Sequence, residues 1–330
     1  MKLLLICSLF ILLSCGTDVQ QNTQKISETS KISSIKTPLK IEKLNKVIVI
    51  LDDNEYMRNI FYDIFSRYAG IENIDTGISF YYSVSEIPQD IIENTIIIGP
   101  NASDELTLLK KKLVNNNLIL SLTNDLTLQK QFSKDEIIFL GMGPFHHLLK
   151  LKDKLSKIDK IAVLYKQNYY GSRLNNFFKL TYPMIEIKSS PYGNQAIDIN
   201  FAIQALGELS SYDMVLIVDD TFSYKNIIAN LSSSDTIYPY EKIYLIDNFL
   251  EQRDSISSFY SQIKRVQLMN VDILNNNIPH REFFYRASIG MALKITEDIL
   301  LNKYNKITYS KQLGHLEVFE QTINFPIIFN

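Results

Sequence analysis

From residue 46 onward, the chain alternates short apolar runs with longer segments in which apolar residues recur every three or four positions. A continuous apolar run of about four to eight residues is typical of a strand that is buried on both faces of a parallel sheet. The short runs predict strands at 47–51, 78–82, 95–98, 118–121, 137–140, 160–165, 184–188, 214–218 and 242–246.

The longer segments have the periodicity of amphipathic helices. Ser103 stands at the start of one of them, where a serine side chain can cap the first turn. The segments predict helices at 54–68, 103–116, 146–158, 171–180, 197–209, 223–231 and 281–301.

The order of these elements predicts the fold class. Strands that alternate with helices form βαβ units, and βαβ units build parallel sheets. The elements fall into two series that separate near residues 141–144, so the sequence predicts an α/β protein with two doubly wound parallel-sheet lobes. Such sheets bind ligands at the carboxyl ends of their strands, so a cleft between the lobes is the expected binding site.

The N-terminal residues have the pattern of a secretory leader. Lys2 precedes an apolar stretch at 3–13, and Ser14 and Cys15 follow it. A positive charge and an apolar stretch of about 11 residues are typical of a signal peptide, whereas a transmembrane helix needs about 20 apolar residues. Residues 12–15 resemble the bacterial lipobox, which implies cleavage before Cys15 and attachment of a lipid to its thiol. A plain signal peptide, in which Cys15 is incidental, is the alternative.

The lipobox predicts three regions: a lipoprotein signal peptide at 1–14, a lipid-anchored flexible tether at 15–42 and a folded part at 43–330. The tether is rich in polar residues, and such a stretch buries too little apolar surface to offset its ordering entropy. Gly16, rather than Asp, follows the cysteine. By analogy with enterobacterial sorting, this residue predicts a lipid-anchored location on the periplasmic face of the outer membrane.

Composition and charge exclude several classes of function. With 34 basic and 36 acidic residues the formal net charge is -2, which gives no electrostatic footprint for nucleic acid. Cys7 and Cys15 are the only cysteines, so neither a disulfide scaffold nor a cysteine-based zinc site is expected. His146 and His147 lack ligand partners at metal spacing and are expected at the surface or at a helix cap. We find no catalytic constellation and no cofactor motif, so the sequence predicts a protein that is not an enzyme.

Several segments, taken in order, resemble the type I periplasmic binding proteins, the superfamily of the leucine-binding protein. The strongest match is the strand at 160–165 followed by Tyr170-Gly171 at the start of a helix, and the turn at 121–124 resembles the ligand-binding turn of that family. The resemblance covers residues 46–330. The other similar segments are 96–103, 139–144, 212–217, 284–300 and 314–319.

The resemblance implies a bilobed fold with three hinge crossovers. Lobe 1 would comprise residues 46–142 plus 281–302. Lobe 2 would comprise residues 144–247 plus the C-terminal segment.

The resemblance also implies which residues would line the cleft. A Ser/Thr turn near a helix N-terminus would hold a ligand carboxylate, an acid of the facing lobe would pair with a ligand ammonium, and a tyrosine would pack on the ligand. The candidate cleft residues in this chain are Asn101, Ser103, Ser121, Thr123, Tyr170 and Asp219.

An alternative stays open for these residues. Ser121, Thr123 and Asn124 can simply cap the helix that follows them, and Asp219 with Asp220 can lie in a solvated turn. The Gly-rich loop that amino-acid-binding members carry after their first strand is replaced here by the charged segment 52–55.

Two functions follow from the resemblance. One lipoprotein branch of the superfamily, the penicillin-binding protein activators, stimulates a peptidoglycan synthase, so the expected partner is a class A penicillin-binding protein. The alternative is a solute-binding lipoprotein that delivers amino acids or similar small molecules to the permease of an ABC importer. The lipobox, the polar tether and the missing Gly-rich loop favour the activator function.

Overall fold

The computed structural model describes residues 46–68, 77–88, 92–114, 116–218, 224–233, 242–246, 264–268, 280–310, 314–319, 321–323 and 327–329. All of them fall within one compact unit, 39–330. The predicted signal peptide, the lipidation residue Cys15 and the tether lie outside the described residues, as does Asp219.

The described strands form two sheets. Lobe 1 is built on a sheet of eight described strands, and lobe 2 on a sheet of six. The strands are β1 (Lys46–Ile50), β2 (Gly77–Tyr81), β3 (Thr95–Ile98), β4 (Leu118–Ser121), β5 (Ile137–Phe139), β6 (Lys160–Lys166), β7 (Glu186–Tyr192), β8 (Met214–Val218), β9 (Ile243–Ile246), β10 (Lys264–Leu268), β11 (Ile307–Ser310), β12 (Gly314–Phe319), β13 (Thr322–Ile323) and β14 (Ile327–Phe329).

The strand order is that of two doubly wound sheets. Lobe 1 has the order β11-β12-β13-β5-β4-β3-β1-β2, and lobe 2 has the order β14-β10-β9-β8-β6-β7. The pairs among β1 to β5 and among β6 to β10 are parallel. These sheets confirm the predicted α/β fold class.

Helices cover the sheets, and none in the described part of the chain is long and apolar enough to cross a membrane. They are α1 (Glu55–Phe65), α2 (Ser103–Lys112), α3 (Pro144–Lys150), α4 (Lys152–Leu155), α5 (Tyr169–Thr181), α6 (Ala196–Leu206), α7 (Tyr224–Ser233) and α8 (His280–Leu300).

Lobe 1 forms because its central strands are apolar on both faces. Every residue of β3 and β4 is buried, and so are four of the five residues of β1. Helices α1 and α8 pack together on one face, where Met57, Phe61 and Ile289 belong to a common apolar cluster. Asn54 begins α1, since its side chain accepts hydrogen bonds from the backbone N–H groups of the first turn.

Lobe 2 is also built on strands that are apolar on both faces. All five residues of β8 are buried, and α6 contributes Ile199, Ile203 and Leu206 to the apolar cluster on one face of the sheet. On the other face, a second cluster includes Phe178 of α5 and continues through Phe145 of α3 into the core of lobe 1. A continuous apolar core therefore joins the two lobes beside the crossover that contains α3.

The C-terminal segment corrects one prediction. We expected all of it in lobe 2, but β11, β12 and β13 join the sheet of lobe 1, where Thr322 pairs with Phe139. Only β14 returns to lobe 2, antiparallel to β10. The segment thus crosses between the lobes, because a short strand is placed by its pairing partner and not by its neighbours in the chain.

Two local predictions are also wrong. The predicted helix at 146–158 is interrupted at Leu151, which separates α3 from α4. His146 and His147 are buried, at 5% and 4% exposure, rather than lying at the surface. They are covered because α3 packs on α5 and against β9.

Candidate functional site

The turn that follows β4 lies at the carboxyl end of the lobe 1 sheet, where doubly wound folds bind ligands. Ser121 and Thr123 are both buried, and their hydroxyl groups serve the turn itself. The Ser121 Oγ donates to the carbonyl of Pro100 at 3.5 Å and accepts from the Thr123 N–H at 3.3 Å. The Thr123 Oγ1 accepts from the Asp125 N–H at 3.3 Å.

Asp125 then begins the short 3-10 helix at 126–131. Its carboxylate accepts from the Thr127 N–H at 3.1 Å and from the Thr127 hydroxyl at 2.5 Å. This arrangement is close to the capping alternative of the sequence analysis, with Asp125 rather than Asn124 as the N-cap residue.

Asn101 and Ser103 lie beside this turn, after β3. The Asn101 amide donates to the Asp52 carboxylate at 2.8 Å, and the Ser103 and Thr123 hydroxyl oxygens are 3.4 Å apart. The prediction that Ser103 caps α2 is wrong, because Ala102 occupies the N-cap position and makes no side-chain bond. Burial, reinforced by the Asp52 charge, raises the pKa of Tyr285 nearby, so that the phenol stays protonated.

The lobe 2 side of the site is the start of α5. Asn168 caps this helix, since its side chain accepts from the Gly171 N–H at 2.7 Å. A Cβ atom at Gly171 would lie 2.2 Å from the Lys166 carbonyl oxygen, so only glycine fits between the end of β6 and the helix. The glycine of the Tyr170-Gly171 pair, which resembles the binding-protein family, is therefore explained by the lack of space for a side chain at residue 171.

Side chains of the two lobes meet at this point. Arg173 of α5 forms an ion pair with Asp125, with 2.6 Å between Nη2 and Oδ2, and it also donates to the Thr127 hydroxyl. The Asn124 amide lies 3.5 Å from the Tyr170 hydroxyl. The Asp125 side chain is only 6% exposed and that of Arg173 is 22% exposed, so this ion pair is largely shielded from water.

Asp125 and Arg173 were not among the residues predicted from the sequence. Both lie close to candidates that it named: Asp125 is two residues after Thr123, and Arg173 is three residues after Tyr170 and therefore on the same side of α5. Their opposite charges are visible in the sequence, but nothing in the sequence shows that the two positions meet.

The contact between the lobes, in which Asn124, Asp125 and Thr127 meet Tyr170 and Arg173, forms a seam. Five of the candidate residues lie in or beside this seam: Asn101, Ser103, Ser121, Thr123 and Tyr170. Asp219, the sixth candidate, and the lipidation residue Cys15 lie outside the described residues. Among the residues that the structure describes, no group of three or more His, Cys, Asp and Glu side chains could hold a metal ion.

Solved structures show which fold this is. An extracellular ligand-binding receptor from Verminephrobacter eiseniae superimposes with a TM-score of 0.52 at 11% identity, over 86% of this chain and 97% of that one. The C-domain of LpoA from Haemophilus influenzae, a regulator of PBP1A, superimposes with a TM-score of 0.50 at 13% identity, over 85% of this chain and 99% of that one.

Another structure of LpoA from the same organism gives a TM-score of 0.57 at 13% identity, over 86% of this chain but only 56% of that one. No family model and no curated protein sequence matches the chain. The similarity therefore lies in the fold, and the chain has the fold of the type I periplasmic binding proteins. The structural neighbours are binding and regulator proteins, not enzymes.

Proposed function

We propose that this protein is a non-enzymatic lipoprotein of the cell envelope that binds and activates a peptidoglycan synthase. The observation that carries the proposal is the ion pair between Asp125 and Arg173. It joins the lobes at the turn where a small-molecule-binding member of this fold would hold its ligand, so the seam is closed by the protein itself.

The hydroxyl groups of the turn support the same proposal. Ser121 and Thr123 are buried and already bonded to backbone groups of their own turn. A ligand carboxylate would have to displace these bonds and would gain little in exchange, since a new hydrogen bond replaces an existing one. A fold that is kept while the hydroxyl groups of its ligand turn are already bonded is expected to act through its surface.

Similarity to LpoA supports a peptidoglycan synthase as the partner. The LpoA C-domain has this fold and belongs to a regulator of PBP1A, and we transfer that role to this chain as a proposal that rests on fold similarity. The expected partner is a class A penicillin-binding protein. Residues 17–40 of the tether would give the folded part a reach of roughly 80 Å when they are extended.

Photo-crosslinking in cells tests the partner. Benzoylphenylalanine would replace one exposed aromatic residue at a time in the full chain: Tyr169 beside the seam, Phe201 on α6, or Tyr82 after β2, which are 73%, 61% and 55% exposed. Mass spectrometry should recover a penicillin-binding protein from at least one of the three positions. The other positions then act as matched controls, because a specific partner contacts one surface only.

Activation is tested separately. The purified full chain carrying Cys15→Ser should change glycan polymerisation or crosslinking by the recovered synthase in vitro. Recovery of importer permease subunits without any synthase would contradict the proposal. A demonstrated complex with unchanged synthase activity would remove the activator role.

The second candidate function, solute delivery to an ABC importer, is supported by Ser103 and Asn101, which are only partly buried at the edge of the same turn. A ligand that binds the folded state stabilises it by RT ln(1 + [L]/Kd). A thermal-shift screen with common amino acids and small peptides should therefore show no stabilisation that depends on Ser103 if our proposal is correct. Stabilisation that is lost in a Ser103→Ala variant would favour the importer function instead.

The anchor belongs to the proposal as well. One thioether at Cys15 would carry the lipid, so the Cys15→Ser chain should move from the membrane fraction to the soluble periplasmic fraction. A Cys15→Ser chain that remains membrane-bound and is still processed would overturn lipid anchoring and the outer-membrane location.

A further inference from the structure

A groove of about 350 Å³ lies between α5 and the 3-10 helix at 126–131, and Leu149 of α3 also lines it. Its walls come from both lobes. None of the candidate residues Asn101, Ser103, Ser121, Thr123 and Tyr170 lines it. The groove is therefore separate from the turn that the fold family uses, and its volume is within the range of about 300–1,000 Å³ that is usual for small-molecule sites.

The floor of the groove is apolar. Leu126 is 2% exposed, and Leu149 and Phe177 are half-buried and pack against the core that joins the lobes. Leu180 stands at the rim with 71% of its surface exposed. Covering apolar surface that is open to water is favourable, so this floor favours a ligand with an apolar body.

The charges of the groove have one sign. Lys130 and Arg173 line it, and no acidic side chain does. Arg173 is balanced by Asp125, but Lys130 has no ion-pair partner among the described residues. Amide and hydroxyl groups of Thr127, Gln129 and Asn176 complete the polar part of the wall. The groove thus offers one uncompensated positive charge beside an apolar floor.

We propose that this groove binds a small amphipathic anion. Its carboxylate or similar head group would lie beside Lys130, and its apolar body would cover Leu149 and Phe177. Such a ligand would touch both lobes at once and would therefore be sensitive to their relative position. This site goes beyond the proposed function, which needs no small molecule.

Three probes with the same phenyl group and nearly the same length test the ligand class: 4-phenylbutyrate, 4-phenylbutyramide and 4-phenylbutylamine. Titration calorimetry would use the full chain carrying Cys15→Ser, because detergent around a lipidated chain would compete for the groove. We expect saturable binding of the anion, about five-fold tighter than the amide and about ten-fold tighter than the amine, as one exposed charge contact supplies.

Two matched variants locate the site. Lys130→Glu should weaken 4-phenylbutyrate binding about five-fold or more. Lys179→Glu makes the same change of charge at an exposed residue of α5 that does not line the groove, and it should leave binding within about two-fold. Asn176→Trp should abolish binding, because the indole would fill the groove from its exposed wall.

Each opposite result overturns the proposal. The first is no binding of 4-phenylbutyrate up to about 10 mM. The second is equal binding of the three probes. The third is an equal loss of binding in the Lys130 and Lys179 variants. The unfolding temperature of each variant, measured alongside, separates a lost contact from a lost fold.

Discussion

Asp125 and Arg173 form an ion pair of 2.6 Å that joins the turn after β4 in lobe 1 to α5 in lobe 2. The carboxylate is almost fully buried and also caps the 3-10 helix that follows it through Thr127. One side chain thus orders its own turn and holds the other lobe. The contact is made by side chains of the chain itself.

The first prediction concerns this pair. Arg173→Met should lower the free energy of unfolding by about 2–4 kcal/mol, because it leaves the Asp125 carboxylate buried without its partner. The double variant Asp125→Asn, Arg173→Met should be less destabilised than the sum of the single variants, since no charge is then left unpaired. Urea denaturation measures all three values.

A surface pair provides the control. Arg67 forms an ion pair with Asp63 at the same kind of distance, 2.7 Å, but the two side chains are 56% and 43% exposed. Arg67→Met should therefore cost less than about 1 kcal/mol. If Arg173→Met loses no more unfolding free energy than Arg67→Met, the ion pair between the lobes does not stabilise the fold.

The second prediction concerns Gly141, which follows β5 and lies against the same turn. A Cβ atom there would come within 2.3 Å of the Leu122 carbonyl oxygen and 2.4 Å of the Thr123 carbonyl oxygen. These neighbours are backbone atoms and cannot move aside alone, so Gly141→Ala should cost about 3 kcal/mol or more in unfolding free energy.

Gly77→Ala is its control. Nothing lies within 4 Å of a Cβ atom built at Gly77, so this substitution should change the unfolding free energy by less than about 1 kcal/mol. Similar unfolding midpoints for the two alanine variants would contradict the close approach of the turn to Gly141.

The third prediction compares two helix starts that look alike in sequence. Asn54→Ala should cost about 1 kcal/mol, because its side chain accepts from the N–H groups of Tyr56 and Met57. Ser103→Ala should cost less than about 0.5 kcal/mol. Ser103 makes no cap, and the distance of 3.4 Å between its hydroxyl and that of Thr123 is long for a hydrogen bond. Thermal unfolding of both variants would show equal losses if Ser103 were the cap that its sequence suggests.

These positions show what the sequence could predict. The strands at the centre of each sheet were predictable because they are apolar on both faces, as in Met214–Val218, and need no knowledge of the rest of the chain. The lobe that holds β13 was not, since Thr322 pairs with Phe139, far away in sequence. Long-range pairing leaves no periodic trace that a sequence could show.

The candidate site likewise has one part that the sequence could predict and one part that it could not. The hydroxyl-rich turn at Ser121 and Thr123 was predictable from its resemblance to a known family. The partner of Asp125 was not, because Arg173 reaches it from another lobe, and only the packing of α5 against the turn brings the two charges together. Non-local charge pairs depend on the fold being known first.

The last prediction concerns pH. Burial lowers the pKa of His147 from 6.5 to about 4, so the imidazole is neutral in the folded protein at neutral pH. The unfolded chain takes up this proton below about pH 6.5 while the folded chain does not. The contribution of His147 to stability is therefore fully present above about pH 6.5 and is lost as the pH falls toward 4.

Wild-type protein should accordingly lose about 2 kcal/mol of unfolding free energy through His147 between pH 7 and pH 5. His147→Leu should remove this loss, because a buried leucine takes up no proton in either state. Urea denaturation at several pH values between 5 and 7 gives both slopes, and a His147→Leu chain as steep as wild type would contradict the assignment.

The pH window separates His147 from the carboxylates of the α1–α8 contact. Hydrogen bonds from Arg286 and Arg67 lower the pKa of Asp63. At Glu282, burial by itself would raise the pKa of the carboxyl. Hydrogen bonds from Tyr56 and Arg286 outweigh burial, so the pKa of Glu282 is lowered as well. A carboxyl with a lowered pKa loses its contribution only as the pH falls below its ordinary value, so these two groups act below about pH 4.5. A slope between pH 5 and pH 7 that depends on residue 147 therefore reports the buried histidine.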